Sequence, residues 1–414
     1  KSFSPNTTMD ILVYKGKCPY ELLPVIAEEM AAAFRQWGHN AVVVDLAQAN
    51  FERQIEAVLK KYNGCDFVFA FNAIGIDLKS GQYSLYDALN VPFVSFMVDH
   101  PCHHLGRLDS KLKHLLVTCT DKSHLDFLAA YYPPEHIKIK TFLSTAGTEL
   151  RPFAAESFDE YLVKRTTPVL FAGNFEAPER VWLQMSLDAG LVKLLNDTAD
   201  YLLVAENVAV DKACAYVMQE TGVEFSGELK KKIYSMLLPL VYKYIWSYYR
   251  NSLLEVLLKA QVPLVVCNRN TENYFAGEKY KSVTFWGRKT YNELLPEIGR
   301  AKFFLDTHTN LLYGTTERVF NAMLNGAVAI REANYSQEFQ DGKDLLLYKW
   351  AEINTLPERI FKLLEDPGAT YAIAQNAAAK VKAKHTWLQR AKYVLNQVEM
   401  YQNLNRLYLE EENP

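Results

Sequence analysis

Nothing in the sequence reads as a leader or an anchor. The N-terminal KSFSPNTTMD lacks the basic, apolar and small-residue succession of a signal peptide, and no apolar run reaches the roughly 20 residues that span a bilayer. Cytoplasmic residence without a transmembrane segment is therefore the expectation. Because the chain starts at Lys1 rather than Met, the residues before Met9 read either as a tag remnant or as part of a longer protein. An excess of one charge is also missing. With 45 Lys and Arg against 48 Asp and Glu the formal charge is -3, which excludes the broad basic footprint of a nucleic-acid or membrane binder and makes any phosphate recognition local. Six cysteines (Cys18, Cys65, Cys102, Cys119, Cys214, Cys267) stand far apart with no CxxC pair, against a zinc knuckle or a disulfide framework. Fixed-period repeats and low-complexity segments are absent as well.

What is present is length and apolar content: 414 residues, 49% of them hydrophobic, enough for two domains with substantial cores. The first 150 residues alternate short β-rich runs (ILVY, NAVVVDL, CDFVFAF, VPFVSFMVD, HLLVTCT, HIKIKTFL) with helical stretches, beginning with a helix over about 19–37. That is the βαβ rhythm of a parallel, Rossmann-like sheet. Residues 151–166 mix turn formers with charge and read as a linker. A second α/β rhythm opens at TPVLFAGN and resumes at QVPLVVCN, SVTFWG, AKFFLDTH and AVAI, so the second domain is expected over 167–385. It carries an aromatic-rich helical insertion at about 177–260. The tail from about Leu356 is helical, with a long amphipathic run that includes Trp387, Leu388, Val394, Leu395 and Val398. Two such α/β domains place the carboxyl ends of their sheets around a common cleft, the usual ligand position in open α/β sheets.

The segment FFLDTHTNLLYGTTERVFNAMLNGAVAI (303–330) predicts strand, loop, helix, glycine stop and strand. Thr315 or Thr316 caps the helix after Gly314, and Gly326 ends it. A helix start behind a glycine loop offers free N–H groups and partial positive charge to a diphosphate. Glu317 and Asn321 share one face, where a carboxylate can take both ribose hydroxyls; Glu317 could equally just complement the helix dipole, with Arg318 a solvated charge. Gly173 and Asn174 make a strand-to-helix turn, either ligand-facing or plainly structural, and Arg180 soon after is another phosphate candidate. VDHPCHHLGR (98–107) follows an apolar strand. Asp99 or His100 at that strand end could take a proton from an acceptor hydroxyl. His103 lines the same loop, and a metal on Asp99, His100, His103 and His104 lacks any recognised spacing, so none is expected. Gly16 lets the first strand turn toward Lys17, and Asp306 with His308 ends another strand.

The strings ERVFNAMLNGAVAI, FQDGKDLLLY and KHTWLQR, with LFAGN, PLVVCNRN and VTFWGRKTYNELLPEI, resemble the donor-binding half of GT-B glycosyltransferases of the glycosyl transferases group 1 superfamily, nearest to CgeB-like proteins and bacterial enzymes that glycosylate surface proteins such as flagellin. FVSFMVDHP is similar, more weakly, to their N-terminal domain. The resemblance implies an α/β GT-B fold whose C-terminal helix, 386–414, crosses back onto the first domain, and transfer of a hexose or N-acetylhexosamine from a nucleotide-sugar donor, UDP-linked, to a hydroxyl, with no cofactor or metal, while the charge balance argues against a nucleic-acid partner. It implies that backbone around Trp286, Gly287 and Arg288 holds the base, that Glu317 with Asn321 takes the ribose, that Gly314, Thr315, Thr316 and Arg318 take the diphosphate, and that Lys343 with Asp344 lies near the sugar. Physically, Gly287 lets a planar base approach the backbone, and Trp286 either stacks on it or packs in the core. The family's commoner pattern has glutamate directly before Ala-Met-x-x-Gly. Here that residue is Asn321, and Tyr313, eight earlier, is not acidic either. The same fold serves nucleotide-sugar 2-epimerases and noncatalytic nucleotide-sugar binders, which stay open as alternatives.

Overall fold

The computed structural model describes residues 8–18, 21–173, 175–268, 281–308 and 311–412. The chain divides into two compact units, Lys1–Ala146 with His385–Pro414, and Gly147–Lys384.

In the first unit, β1 (Asp10–Lys15), β2 (Asn40–Asp45) and β3 (Phe67–Phe71) are followed by a small antiparallel hairpin, β4 (Lys79–Ser80) and β5 (Tyr83–Ser84), and then by β6 (Phe93–Met97), β7 (Leu115–Cys119) and β8 (Ile139–Phe142). The six longer strands form one sheet in the order β2-β1-β3-β6-β7-β8, parallel throughout. FVFAF, FVSFM and LLVTC are buried at every position, as expected where helices cover both faces and water reaches neither. The helix Leu22–Gln36 buries Leu23, Ile26, Ala27, Met30, Ala31 and Phe34, the one-sided spacing of a helix laid on a sheet.

The last helix, Trp387–Glu412, belongs to this unit. Trp387, Ala391, Val394, Leu395, Val398 and Tyr401 join the core around Phe34, Phe69 and Phe71, and the Trp387 ring stands edge-on to Phe71 at 5.9 Å. Arg390 Nε donates to the Thr145 carbonyl at 2.9 Å, and the Trp37 indole N–H to the Leu388 carbonyl at 2.8 Å. The expected return of the tail is observed.

The second unit carries β9 (Thr167–Ala172), β10 (Leu264–Cys267), β11 (Val283–Trp286), β12 (Ala301–Leu305), β13 (Val328–Glu332) and β14 (Leu346–Tyr348). All pair parallel in the order β11-β10-β9-β12-β13-β14. The order reverses between β9 and β12, so this pair marks the switch point beyond whose carboxyl ends open sheets bind ligands. The three-residue β14, within LLLY, is a strand the sequence reading left out. The insertion between β9 and β10 is helical as expected: Ala189–Val204, Val210–Thr221, Gly227–Met236 and Leu238–Lys259. Residues 151–166, read above as the linker, contain a helix (Phe158–Lys164) opened by a Ser157/Glu160 capping box and lie within the second unit. Among the described residues no helix is long and apolar enough to cross a membrane.

Candidate functional site

The helix Glu317–Leu324 starts at the carboxyl end of the second sheet. Thr316 is its N-cap, its hydroxyl accepting from the Val319 N–H at 3.4 Å. Thr315 is fixed otherwise: its Oγ1 accepts from Arg331 Nη1 at 2.5 Å. Gly314, Thr315 and Thr316 are buried, while Glu317 and Arg318 keep 16% and 20% of their side chains exposed and lie 3.8 Å apart. The N–H groups of this first turn therefore sit beside one carboxylate and one guanidinium.

Two guanidinium groups converge on the end of β9. A Cβ placed on Gly173 would stand 3.2 Å from Nη1 of both Arg250 and Arg318. Arg318 Nη1 donates to the Ala172 carbonyl at 2.7 Å and its Nη2 lies 3.5 Å from Asp306. Arg250, 1% exposed, donates to Oγ1 and the carbonyl of Thr307 at 2.8 and 3.2 Å, and its guanidinium covers the Trp246 ring at 3.5 Å. Burying a cation this fully is costly, and two cations at the β9/β12 switch point suit a dianionic group. Sequence reading missed Arg250 and Thr307. The available signal was an arginine four residues after Trp246 in an aromatic-rich helix, which places both on one face.

Asn321 is placed differently from Glu317. It is fully buried, its Oδ1 accepting from the Thr148 N–H at 2.8 Å while its Nδ2 donates to the Tyr291 hydroxyl at 3.0 Å. Asn325, one turn on, pairs with the same segment: Leu150 N–H donates to its Oδ1 at 2.9 Å and its Nδ2 to the Thr148 carbonyl at 2.8 Å. Position 321 thus holds the 148–150 segment and the Tyr291 hydroxyl, a group that can donate as well as accept.

At the far edge of the sheet, Trp286 ends β11 half-buried, with Lys289 Nζ 5.4 Å from its ring centroid. Gly287 and Arg288 are exposed, and a Cβ on Gly287 would meet nothing within 4 Å. The Thr290/Glu293 capping box then opens the helix Tyr291–Ile298. Trp286 lies two strands from β9, roughly 10 Å at the usual spacing. Lys343 is exposed on the Gly342 turn, beside a buried Asp344 paired with Lys380. His308 is half-buried, in a recess shared with Asp306 and Thr315. Arg180 is engaged by Asn196 and Asp200. Asn174 lies outside the described residues.

Residues 252–396 match the family model described as glycosyl transferase-like. That is about a third of the chain, and it contains Glu317, Arg318 and Asn321. No curated protein sequence matches the chain. Among solved structures, sucrose-phosphate synthase from Thermosynechococcus elongatus is 13% identical over 96% of this chain and 100% of its own, with a TM-score of 0.51. An alpha-glucosyltransferase solved with UDP-glucose and DNA containing an abasic site is 11% identical over 95% of this chain and 100% of its own, at 0.52. Anabaena HepE, solved with UDP and glucose, is 14% identical over 95% and 100%, at 0.47. The fold is that of GT-B glycosyltransferases, two parallel-sheet α/β domains.

In the first unit the expected loop after β6 is built around Asn72. This residue and Ala73 both adopt left-handed backbone (φ 50 and 54) at the end of β3, a conformation that costs free energy and concentrates at functional sites. Asn72 Oδ1 accepts from the Val98 N–H at 2.9 Å and its Nδ2 donates to Asp99 Oδ2 at 2.8 Å. His104 Nε2 lies 3.2 Å from the same oxygen, yet the Asp99 side chain remains 57% exposed. His100 is turned inward: it is 3% exposed, its Nδ1 accepts from the Cys102 N–H at 3.1 Å, and its ring lies 4.6 Å edge-on to His124. His103 is exposed. After β1, Gly16 is buried against Ile74 and Lys17 is exposed. Among the described residues no group of three or more His, Cys, Asp and Glu is placed to hold a metal.

Proposed function

We propose that the protein is a glycosyltransferase that moves a hexose or N-acetylhexosamine from a UDP-linked sugar to an acceptor hydroxyl, on a protein such as flagellin. The observation that carries this reading is the pair of guanidinium groups, Arg250 and Arg318, at Gly173 beside a capped helix start at the sheet's switch point. The match over 252–396 and a fold neighbour solved with UDP-glucose support it.

In this reading the second unit binds the donor. The base lies against Trp286, Gly287 and Arg288, and Glu317 takes the ribose hydroxyls while Asn321 fixes the helix from one turn behind. The diphosphate meets Arg250, Arg318 and the N–H groups after Thr316. Negative charge grows on the leaving diphosphate as the sugar departs, and donors fixed beforehand stabilise it without reorganising. Asp99, whose carboxylate is exposed and oriented by Asn72 and His104, accepts the proton of the acceptor hydroxyl, and His100 holds the turn beneath it. Gly16, Lys17, His103, His308 and Lys343 flank the substrates. Neither cofactor nor metal enters this scheme.

Calorimetric titration of the full-length protein with UDP tests it. The wild type binds, and Glu317→Ala weakens binding by about 10- to 100-fold, the loss of roughly 1.5–3 kcal/mol of charge-assisted hydrogen bonding. A folded wild type without affinity for UDP or any UDP-sugar defeats the functional reading; an unaffected variant removes only the ribose assignment.

A further inference from the structure

The ends of β12 and β13 and the loop before the helix Glu317–Leu324 enclose a narrow recess lined by Asp306, His308, Thr315, Arg331, Glu332 and Asn334. We propose that this recess receives a hydroxyl of the donor's sugar, with Glu332 Oε2 as its acceptor. The assignment rests on the reading of the second unit as a nucleotide-sugar site and extends it to the sugar itself.

Glu332 is the residue that demands a partner. Its Oε1 accepts from the Trp350 indole N–H at 2.7 Å. Its Oε2 is shielded from solvent and has no hydrogen-bond donor among the described residues. The neighbouring guanidinium does not supply one: Arg331 Nη1 donates to Thr315 Oγ1 and its Nε to the Glu332 backbone carbonyl. A buried acceptor left unmet is costly, so such an atom marks a place where a donor arrives. Burial also pushes the Glu332 carboxyl up to about 7, as happens to acids in ligand sites.

The chemistry of the walls selects the donor. Asp306 and the Glu332 Oε2 acceptor face the recess, and the Arg331 guanidinium in the same wall is engaged by Thr315 and the Glu332 carbonyl, so a hydroxyl that donates fits here better than a phosphate oxygen, which can only accept. Gly314, Thr315 and Thr316 line the recess and also lead into the helix start that faces the diphosphate. A group entering the recess is therefore one attached next to the diphosphate, and in a nucleotide sugar that is the sugar ring. A site built to accept from a hydroxyl discriminates against analogues that lack it, because the acceptor is then left unpaired.

The test is titration calorimetry of full-length wild type and Glu332→Gln with UDP, UDP-glucose and UDP-N-acetylglucosamine. In the variant the amide oxygen is claimed by Trp350, which turns an NH2 donor toward the recess. The expected result is unchanged affinity for UDP and a loss of about tenfold or more for the preferred UDP-sugar. Equal losses for UDP and UDP-sugar, or no loss for either, overturn the assignment, the latter leaving a recess that holds water only. Glu332→Asp retains the charge but withdraws it by one methylene, and it decides the matter if the glutamine variant folds poorly: UDP binding intact with weakened sugar binding supports the assignment. A wild type that binds none of the three probes refutes the underlying nucleotide-sugar reading instead, a distinct outcome.

Discussion

Asn321 serves the fold from inside the second unit. Its amide accepts from Thr148 and donates to the Tyr291 hydroxyl in a buried position. The carboxylate of the region then stands one turn earlier, at Glu317, with part of its surface open. In the first unit the contrast falls between adjacent residues: Asp99 is exposed and oriented, whereas His100 is inside and caps the turn through Cys102. If Asp99 is the acceptor base, Asp99→Asn lowers turnover by roughly 10²- to 10⁴-fold, the usual worth of general-base help, while UDP affinity stays unchanged. Steady-state transfer, or donor hydrolysis where no acceptor is in hand, measures the first and calorimetry the second. Near-normal turnover would make this loop purely structural.

The helix Glu317–Leu324 is only eight residues long, too short to be stable alone, so its position comes from its surroundings. Its inner side, Val319, Phe320, Met323 and Leu324, packs in the core on one face of the second sheet. Gly147 approaches so closely that an added Cβ would stand 2.7 Å from the Phe320 carbonyl carbon. Thr148 and Leu150 then pair with Asn321 and Asn325. At the far end Gly326 has φ +83, and a Cβ there would collide with the Phe153 ring at 2.5 Å and with Arg165. Gly326→Ala is thus strained twice, by left-handed backbone and by overpacking, and should cost at least about 2 kcal/mol. Chemical denaturation reads the loss. UDP affinity should fall with it, because the helix start moves with the helix end, and a variant of unchanged stability would mean that Phe153 and Arg165 shift freely.

For the whole molecule, the chain crosses from the second unit back to the first at His385. A chain ending at Lys384 loses Trp387, Val394, Leu395 and Val398 from the first unit's core. At about 1.5–3 kcal/mol for each large apolar side chain, that rivals the whole stability of a domain, about 5–15 kcal/mol. Hydrogen exchange of the truncated chain should show the amides of β1 and β3 unprotected while those of β9 and β12 keep their protection; protection retained in β1 and β3 would show that the unit does not need the tail. The sequence by itself determined the two parallel sheets, the helical insertion, the returning tail and the capped helix after Gly314. The sheets, the insertion and the capped helix follow from local periodicity and capping chemistry within a short window, whereas the return of the tail followed from the resemblance together with its long amphipathic run. Only the tertiary structure decided that Arg250, in a helix more than 50 residues before Thr307, meets Arg318 over Gly173 and that Asn321 faces inward. It also decided that Glu332 closes a recess with Asp306. These pairings are set by strand order and by which helix face the core claims, and neither is written in the spacing of neighbouring residues.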